Sequence, residues 1–393
     1  MAFLTSLRLD GLLSFAPGSE AIPLTPLNLL IGPNGSGKSN LIEGVELLHA
    51  TPTAFANAIR DGGGAQEWLW KGEGGNDSAS IEVLLGKSNV APEMRYRLAF
   101  TASAQRTEVT DEVLENTHKV RATEKDVFFY YRFQSGRPAI NVREGGKGRA
   151  QRHIERQSLV PDESVLSQRK DPDLYPELTW VGQQFGRIQT FREWTFGRYT
   201  ALRKTQRADM PTDELVADAS NLALVLNELE HSSAWPEFNR LMKRFLPRYQ
   251  RFSVKVYAGS VQFFLHEDGL RLPVPATRLS DGTMRFMALL ALLLSPHPPP
   301  LVCIEEPELG LHPDALLLLA EILVEASTRT QVIVTTHSDT LVSALTEQAD
   351  SVLVCEHIGQ TQVSRVEADK LRHWLEKYRL GEIWRLGKLG GNP

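Results

Sequence analysis

Cysteine is nearly absent: Cys303 and Cys355 are the only two in 393 residues. Two thiols cannot staple a chain of this length, so a disulfide scaffold is excluded and a reducing compartment is expected. Long apolar runs are missing too. The longest, Phe286–Leu294, is about half of the ~20 residues a membrane-spanning helix needs. The opening MAFLTSLRLD has no basic stretch leading into an apolar one, so no export signal is read there. The expectation is a cytoplasmic protein with no membrane partner. Nor is there an excess of positive charge: 43 Lys and Arg face 48 Asp and Glu, a net −5. That excludes a chain that coats nucleic acid along its whole length. No heptad is sustained, so long coiled-coil arms are not expected. No repeat of 20–50 residues is visible, and no His-x-His or Cys-x-x-Cys pair marks a metal centre.

What remains is an ordinary globular composition, 42% apolar and 23% charged, enough for a large core in two to three folding units at about 150 residues each. Residues 121–260 hold 23 Lys and Arg against 17 Asp and Glu, while the rest of the chain is acidic. The asymmetry predicts an inserted α+β subdomain, so the expected division is an N-terminal lobe at 1–103, a basic lid at 104–250 and a C-terminal lobe at 251–393. The fold class expected is α/β. LVCI at 301–304 and QVIVTT at 331–336 read as short buried strands around a helix over 313–327, a parallel strand-helix-strand unit. The stretch 253–267 reads as a hairpin turning at 258–260. Residues 283–294 read as an apolar helix that PHPPP ends.

Between the apolar PLNLLI and the helical LIEGVELLHA stands Gly32-Pro33-Asn34-Gly35-Ser36-Gly37-Lys38-Ser39, which fits G-x-x-x-x-G-K-[ST] in its strand-to-helix context. Glycines let backbone wrap a phosphate, and amides at a helix N-terminus face it with the positive end of the dipole. Asn34, Gly35, Ser36, Gly37, Lys38, Ser39 and Asn40 are the expected nucleotide contacts. Lys38 would reach the β- and γ-phosphates, and Ser39 would ligate Mg²⁺. A second group follows LVCI. Glu305 and Glu306 close an apolar strand, where open α/β sheets place their ligands. Glu305 would hold the Mg²⁺ shell through water and Glu306 would deprotonate the attacking water.

Two companions gain weight from order. Ser280 in LSDGT, by itself a helix N-cap, precedes Glu306 by 26 residues, and His337 in TTHS follows it by 31. The set GPNGSGKS, LSDGT, IEEPE and TTHS resembles the ABC-class ATPases of the SMC/RecF-like kind. More narrowly, with the C-terminal LGEIWRLGKLGG, it is similar to a bacterial AAA-family "predicted ATPase" group. The resemblance spans about residues 1–100 and 250–393. It implies an ABC-type P-loop head with a mixed or parallel core sheet and an N-terminal β subdomain. It also implies ATP held between two heads of a homodimer. One subunit would supply Lys38, Ser39, Glu305, Glu306 and the switch His337. The other would supply Ser280, Asp281 and Gly282, with Pro307–Pro313 at the dimer seam.

Three features depart from the wider pattern. Glu305 stands where Asp is usual, and Asp281 stands where transporters have Gly. The glutamine of the Q-loop has only Gln66 and Gln189 as candidates.

Basic residues cluster over 132–156 (Arg132, Arg137, Arg143, Lys147, Arg149, Arg152 and Arg156, diluted by Glu144 and Glu155). A second cluster covers 187–207, where Phe191, Trp194, Phe196 and Tyr199 interleave with Arg187, Arg192, Arg198, Arg203, Lys204 and Arg207. A third covers 240–251. Cations with aromatics suit nucleic acid. The plainer reading is a solvated charged face above core aromatics, and some of these arginines could instead reach the nucleotide. Large apolar residues from Trp374 to Leu386 point to a docked tail, or more sharply to a partner surface.

The leading reading is an ATP-hydrolysing switch acting on nucleic acid or a partner protein, with DNA maintenance or anti-phage defence as the associated settings. The alternative is a low-turnover ATP-binding regulatory module that governs a partner effector. A small-molecule phosphotransferase is a third, disfavoured by LSDGT.

Overall fold

The structure, a computed structural model, describes residues 2–74, 77–103, 106–119, 126–134, 136–144, 148–154, 158–192 and 194–390. Two compact units form, residues 1–188 with 351–366 and residues 189–350 with 367–393. Among the described residues no helix is long and apolar enough to cross a membrane.

The first unit begins β1 (Leu4–Asp10), β2 (Ile22–Pro23), β3 (Leu27–Ile31), α1 (Lys38–Ala50), α2 (Phe55–Asp61), α3 (Ala65–Trp68). It continues β4 (Ser78–Leu85), β5 (Met94–Ser103), β6 (Arg106–Asn116), β7 (Phe129–Gln134), β8 (Arg137–Glu144), β9 (Gly148–His153), α4 (Val165–Gln168) and α5 (Pro176–Gly186). An eight-stranded antiparallel sheet runs in the order β2-β1-β4-β5-β6-β7-β8-β9. Burial alternates in parts of the sheet, as at Ile81, Val83 and Leu85, and runs unbroken in others, as over Glu112–Asn116. Leu4 and Leu7 are three apart yet both buried, because the register with β4 shifts between Leu4 and Ser6. The composition shift near residue 104 falls inside this sheet, since β5 and β6 pair from Met94↔Asn116 to Ser103↔Arg106.

The second unit carries β10 (Gln189–Phe191), β11 (Gln206–Arg207), α6 (Leu222–Glu230), α7 (Trp235–Phe245), β12 (Tyr249–Tyr257), β13 (Ser260–Glu267) and β14 (Val274–Pro275). It continues with α8 (Asp281–Leu293), β15 (Leu301–Glu305), α9 (Pro313–Ala326), β16 (Gln331–Thr335) and α10 (Asp339–Ala344). The β12–β13 hairpin and the β15–α9–β16 crossover stand where the sequence puts them, and β10, β15 and β16 are parallel. Helix α8 is apolar all round and is buried from Thr283 through Leu293. The chain then returns to the first unit with β17 (Val352–Ile358) and β18 (Gln360–Arg365) and ends in the second with α11 (Ala368–Leu375) and α12 (Leu380–Arg385). In the first unit β17 lies parallel to β3 and antiparallel to β18. The longest helix among the described residues, α9, has 14 residues. At 1.5 Å per residue this is roughly 21 Å, so it is a packing helix and not an arm.

Candidate functional site

The glycine-rich loop leaves the buried strand β3 and feeds α1. Gly37 caps the helix at φ +97°, in the left-handed region. A Cβ there would sit 2.0 Å from the Thr361 hydroxyl, so only glycine lets β18 approach. Thr361 braces the loop from behind: its hydroxyl lies 3.0 Å from the Ser36 carbonyl and 2.7 Å from the Ser14 hydroxyl, which in turn accepts from Asn40 Nδ2 at 2.7 Å. Lys38 is buried, its Nζ donating to the carbonyls of Gly32 at 2.7 Å and Pro33 at 3.0 Å. Asn34, Gly35 and Ser39 are exposed. Helices α8, α9 and α10 each carry an aspartate in the first turn, whereas α1 carries no acid there. Its positive N-terminal end is left for an anion. A buried ammonium and an acid-free helix start fit a phosphate.

In the second unit β15 delivers its carboxylates at the strand's C-terminal end. Glu305 pairs through Oε2 with Arg192 Nε at 3.3 Å. Its Oε1 is buried with no hydrogen-bond partner among the described residues. A buried acceptor without a donor is an unsatisfied demand, and water on a hard cation would meet it. The site therefore fits Mg²⁺. Glu306 has φ +46°, uncommon for a residue with a Cβ and the sort of strain found at working sites. Contacts on both sides hold it there. Its N–H donates to the Thr335 carbonyl at 3.0 Å, and its carbonyl accepts from Arg285 at 3.2 Å. The turn carries its carboxylate to 3.6 Å from His337 Nε2. Glu308 accepts from the Thr336 hydroxyl and from the His337 amide at 3.0 Å, fixing the strand end that bears the histidine. Burial holds the Glu308 carboxyl above the usual range.

Arg285 is the one charged residue in the apolar run of α8 after its first turn. Burial draws its guanidinium below the ordinary value. It stacks over Phe196 at 4.8 Å and also donates to the Trp194 carbonyl at 3.0 Å. Ser280 caps α8, accepting from Thr283 N at 3.0 Å. Asp281 pairs with Arg203, which is buried and also donates to the carbonyls of Phe196 at 2.7 Å, Ala276 at 3.0 Å and Leu279 at 2.6 Å. Gly282 backs onto the Gly310 carbonyl, 2.6 Å from where a Cβ would be.

The structure thus groups Glu305, Glu306 and His337 in one unit, with Ser280, Asp281 and Gly282 opening α8 of the same unit, and places Lys38 and Ser39 in the other. Sequence reasoning assigned no role to Glu308, Thr336 or Arg285. The signals were present: an acid three residues past Glu305, a threonine beside the histidine, and a lone arginine in an apolar helix. Arg192 was read with the basic clusters, and the structure gives it to Glu305. Gln189 lies level with Val302, three residues before Glu305, with Nε2 3.4 Å from Glu214, and Gln66 is exposed.

The middle cluster is thinner than it reads. Arg203 is internal, and Phe191, Trp194 and Phe196 are core. Tyr199 is 81% exposed, and Arg187, Arg198, Lys204 and Arg207 are exposed. In the first cluster Arg132 pairs with Glu115 at 2.8 Å. Lys147, Glu155 and Arg156, and the side chains of Glu144 and Arg149, lie outside the described residues. The tail docks in part: Leu380, Ile383 and Trp384 are fully buried, whereas α11 buries none of its residues and Tyr378 and Leu386 are exposed.

Residues 27–343 match the family described as "AAA domain, putative AbiEii toxin, Type IV TA system". Comparison with curated proteins gives no match. Among solved structures, the chain is similar to an Smc head bound to the C-winged helix domain of ScpA, at 13% identity and TM-score 0.59 over 94% of this chain and 99% of that one. It is similar to an Smc head with an extended coiled coil bound to the C-terminal domain of ScpA, from Pyrococcus furiosus, at 14% identity and TM-score 0.58 over 96% and 99%. A Pyrococcus yayanosii Smc head with a coiled coil and joint matches at 12% and 0.52 over 96% and 99%. At such identities the likeness speaks for the fold, which is that of an ABC-type ATPase head.

Proposed function

The chain belongs to the AAA domain family that its residues 27–343 match, and from that premise we propose that it hydrolyses ATP as a switch that closes and reopens a homodimer. Lys38 and the amides of the glycine-rich loop bind the phosphates. Bound Mg²⁺ would neutralise charge on the β- and γ-phosphates, and Ser39 and Glu305 are the residues to hold it. Glu306 orients the attacking water and takes its proton as the Pγ–O bond to ADP breaks. His337, held by Glu308 and Thr336, reports the γ-phosphate. Ser280 and Gly282 complete the site of the opposite subunit. The observation that carries the reading is Glu306. A glutamate is held at φ +46° by contacts on both its N–H and its carbonyl, with its carboxylate 3.6 Å from the histidine. Phosphate release by the wild type and by Glu306→Gln tests it: the variant should retain ATP and lose turnover about 10²-fold or more. Equal rates would reject Glu306 as the base.

A second reading, a low-turnover ATP-binding module that governs a partner effector, draws on the Arg192–Glu305 pair. A carboxylate engaged by arginine, and one methylene longer than the usual aspartate, is a poorer metal-shell ligand. Single-turnover kinetics separates the two, since slow chemistry with tight ATP retention in the wild type favours the module. Nucleic acid is the partner proposed for the exposed cations around Tyr199. Filter binding at low salt with ATP should detect it, and no retention there would remove that partner.

A further inference from the structure

The C-terminal LGEIW motif has no part in the chemistry above, yet it is bound to the element that follows the switch histidine. Helix α10 starts two residues after His337, with Ser338 as its cap, accepting from Leu341 N at 3.2 Å. Helix α12 lies along it. Gly381 touches the backbone where α10 begins: a Cβ would fall 2.0 Å from the Asp339 carbonyl and 2.5 Å from the Ser343 hydroxyl. Asp339 and Ser343 are four apart and so share a face. The Asp339 carboxylate pairs with Arg385 Nε at 2.9 Å, and Leu380 N donates to the Thr346 hydroxyl at 3.1 Å past the far end of α10. Trp384 and Ile383 are fully buried beside these contacts, and Glu382 accepts from Arg379 N at 2.7 Å, closing the first turn of α12. The first residue of α10 is thereby paired through its carboxylate and closely approached at its carbonyl.

We propose that α12 is a clamp on the switch segment, with Gly381 and Arg385 as positioning residues that set where His337 stands opposite Glu306. The link to hydrolysis rests on the reading of His337 as the sensor, but the clamp itself does not. Only glycine at 381 allows the approach, because Asp339 presents rigid backbone there.

The test uses the full chain with Gly381→Ala, and with the milder Arg385→Ala and Arg385→Lys. Hydrogen exchange is followed in 338–346 and, as a control, in 313–326, alongside ATP turnover. Gly381→Ala should speed exchange in 338–346 roughly tenfold while 313–326 stays as in the wild type. It should lower kcat about fivefold, leave KM for ATP within about twofold, and add no loss to His337→Ala. Arg385→Ala should act in the same direction more weakly, and Arg385→Lys should restore. Unchanged exchange in 338–346 for both Gly381→Ala and Arg385→Ala overturns the clamp. A kcat loss that multiplies with that of His337→Ala overturns its route through the histidine. Should the wild type release no phosphate, the hydrolysis reading fails, and the exchange data still decide the clamp.

Discussion

At Glu306 the backbone does what a glutamate rarely does, and the reason lies with neighbours far away in sequence. Thr335 accepts its amide, and Arg285 grips its carbonyl. Replacing Arg285 by Met keeps the bulk in α8 and removes both guanidinium bonds. We expect kcat to fall about 10-fold to 100-fold with KM for ATP little changed, because the lost contact acts on the placement of the base and not on phosphate binding. A parallel fall in ATP affinity would argue for general damage. Glu112 offers a pH test at this scale. It is buried in the first unit, accepting from Tyr96, Ser164 and the Val165 amide, and burial raises its carboxyl from 4.5 to about 7. The folded state therefore binds an extra proton between these values. That stability is fully present below pH 4.5 and is lost as pH rises through about 7. Unfolding free energies from urea titrations at pH 5 and pH 8 should differ by about 2–3 kcal/mol more in the wild type than in Glu112→Gln. Equal pH slopes would contradict this. The glycine-rich turn between β3 and α1 was legible because its spacing is local, whereas the contacts of Arg285 and Glu308 are ones that only folding makes.

Among elements, α8 shows how a motif carries two duties. Ser280 caps it, and Asp281 anchors it to a buried arginine that also serves three carbonyls. The magnitudes differ between the partners. Asp281 is largely exposed, so Asp281→Asn should shift stability by under about 1 kcal/mol. Arg203→Met strands buried acceptors and should destabilise by about 3 kcal/mol. Thermal unfolding of both variants checks the ranking, and the reverse order would refute the burial argument. The strands around β15 and β16, the β12–β13 hairpin and helices α8 and α9 were readable from apolar runs and breakers. The role of Arg203 was not, because a cation serving as a core hydrogen-bond donor looks like surface charge in a one-dimensional string. The interleaved aromatics follow the plainer reading: Phe191, Trp194 and Phe196 belong to the core.

For the whole molecule, the sequence supplied the class of head, and the absence of heptads agrees with helices no longer than 14 residues among those described. Charge composition changes inside the β5–β6 ladder while the sheet continues across it. If Ser280 completes the opposite subunit's site, then Lys38→Ala and Ser280→Arg are each inactive as homodimers but complementary when mixed. Random pairing makes half of the dimers mixed, each with one intact site of two, so an equimolar mixture should recover about a quarter of wild-type phosphate release. A mixture as inactive as its components, or a Ser280→Arg protein that hydrolyses ATP normally by itself, would contradict the account.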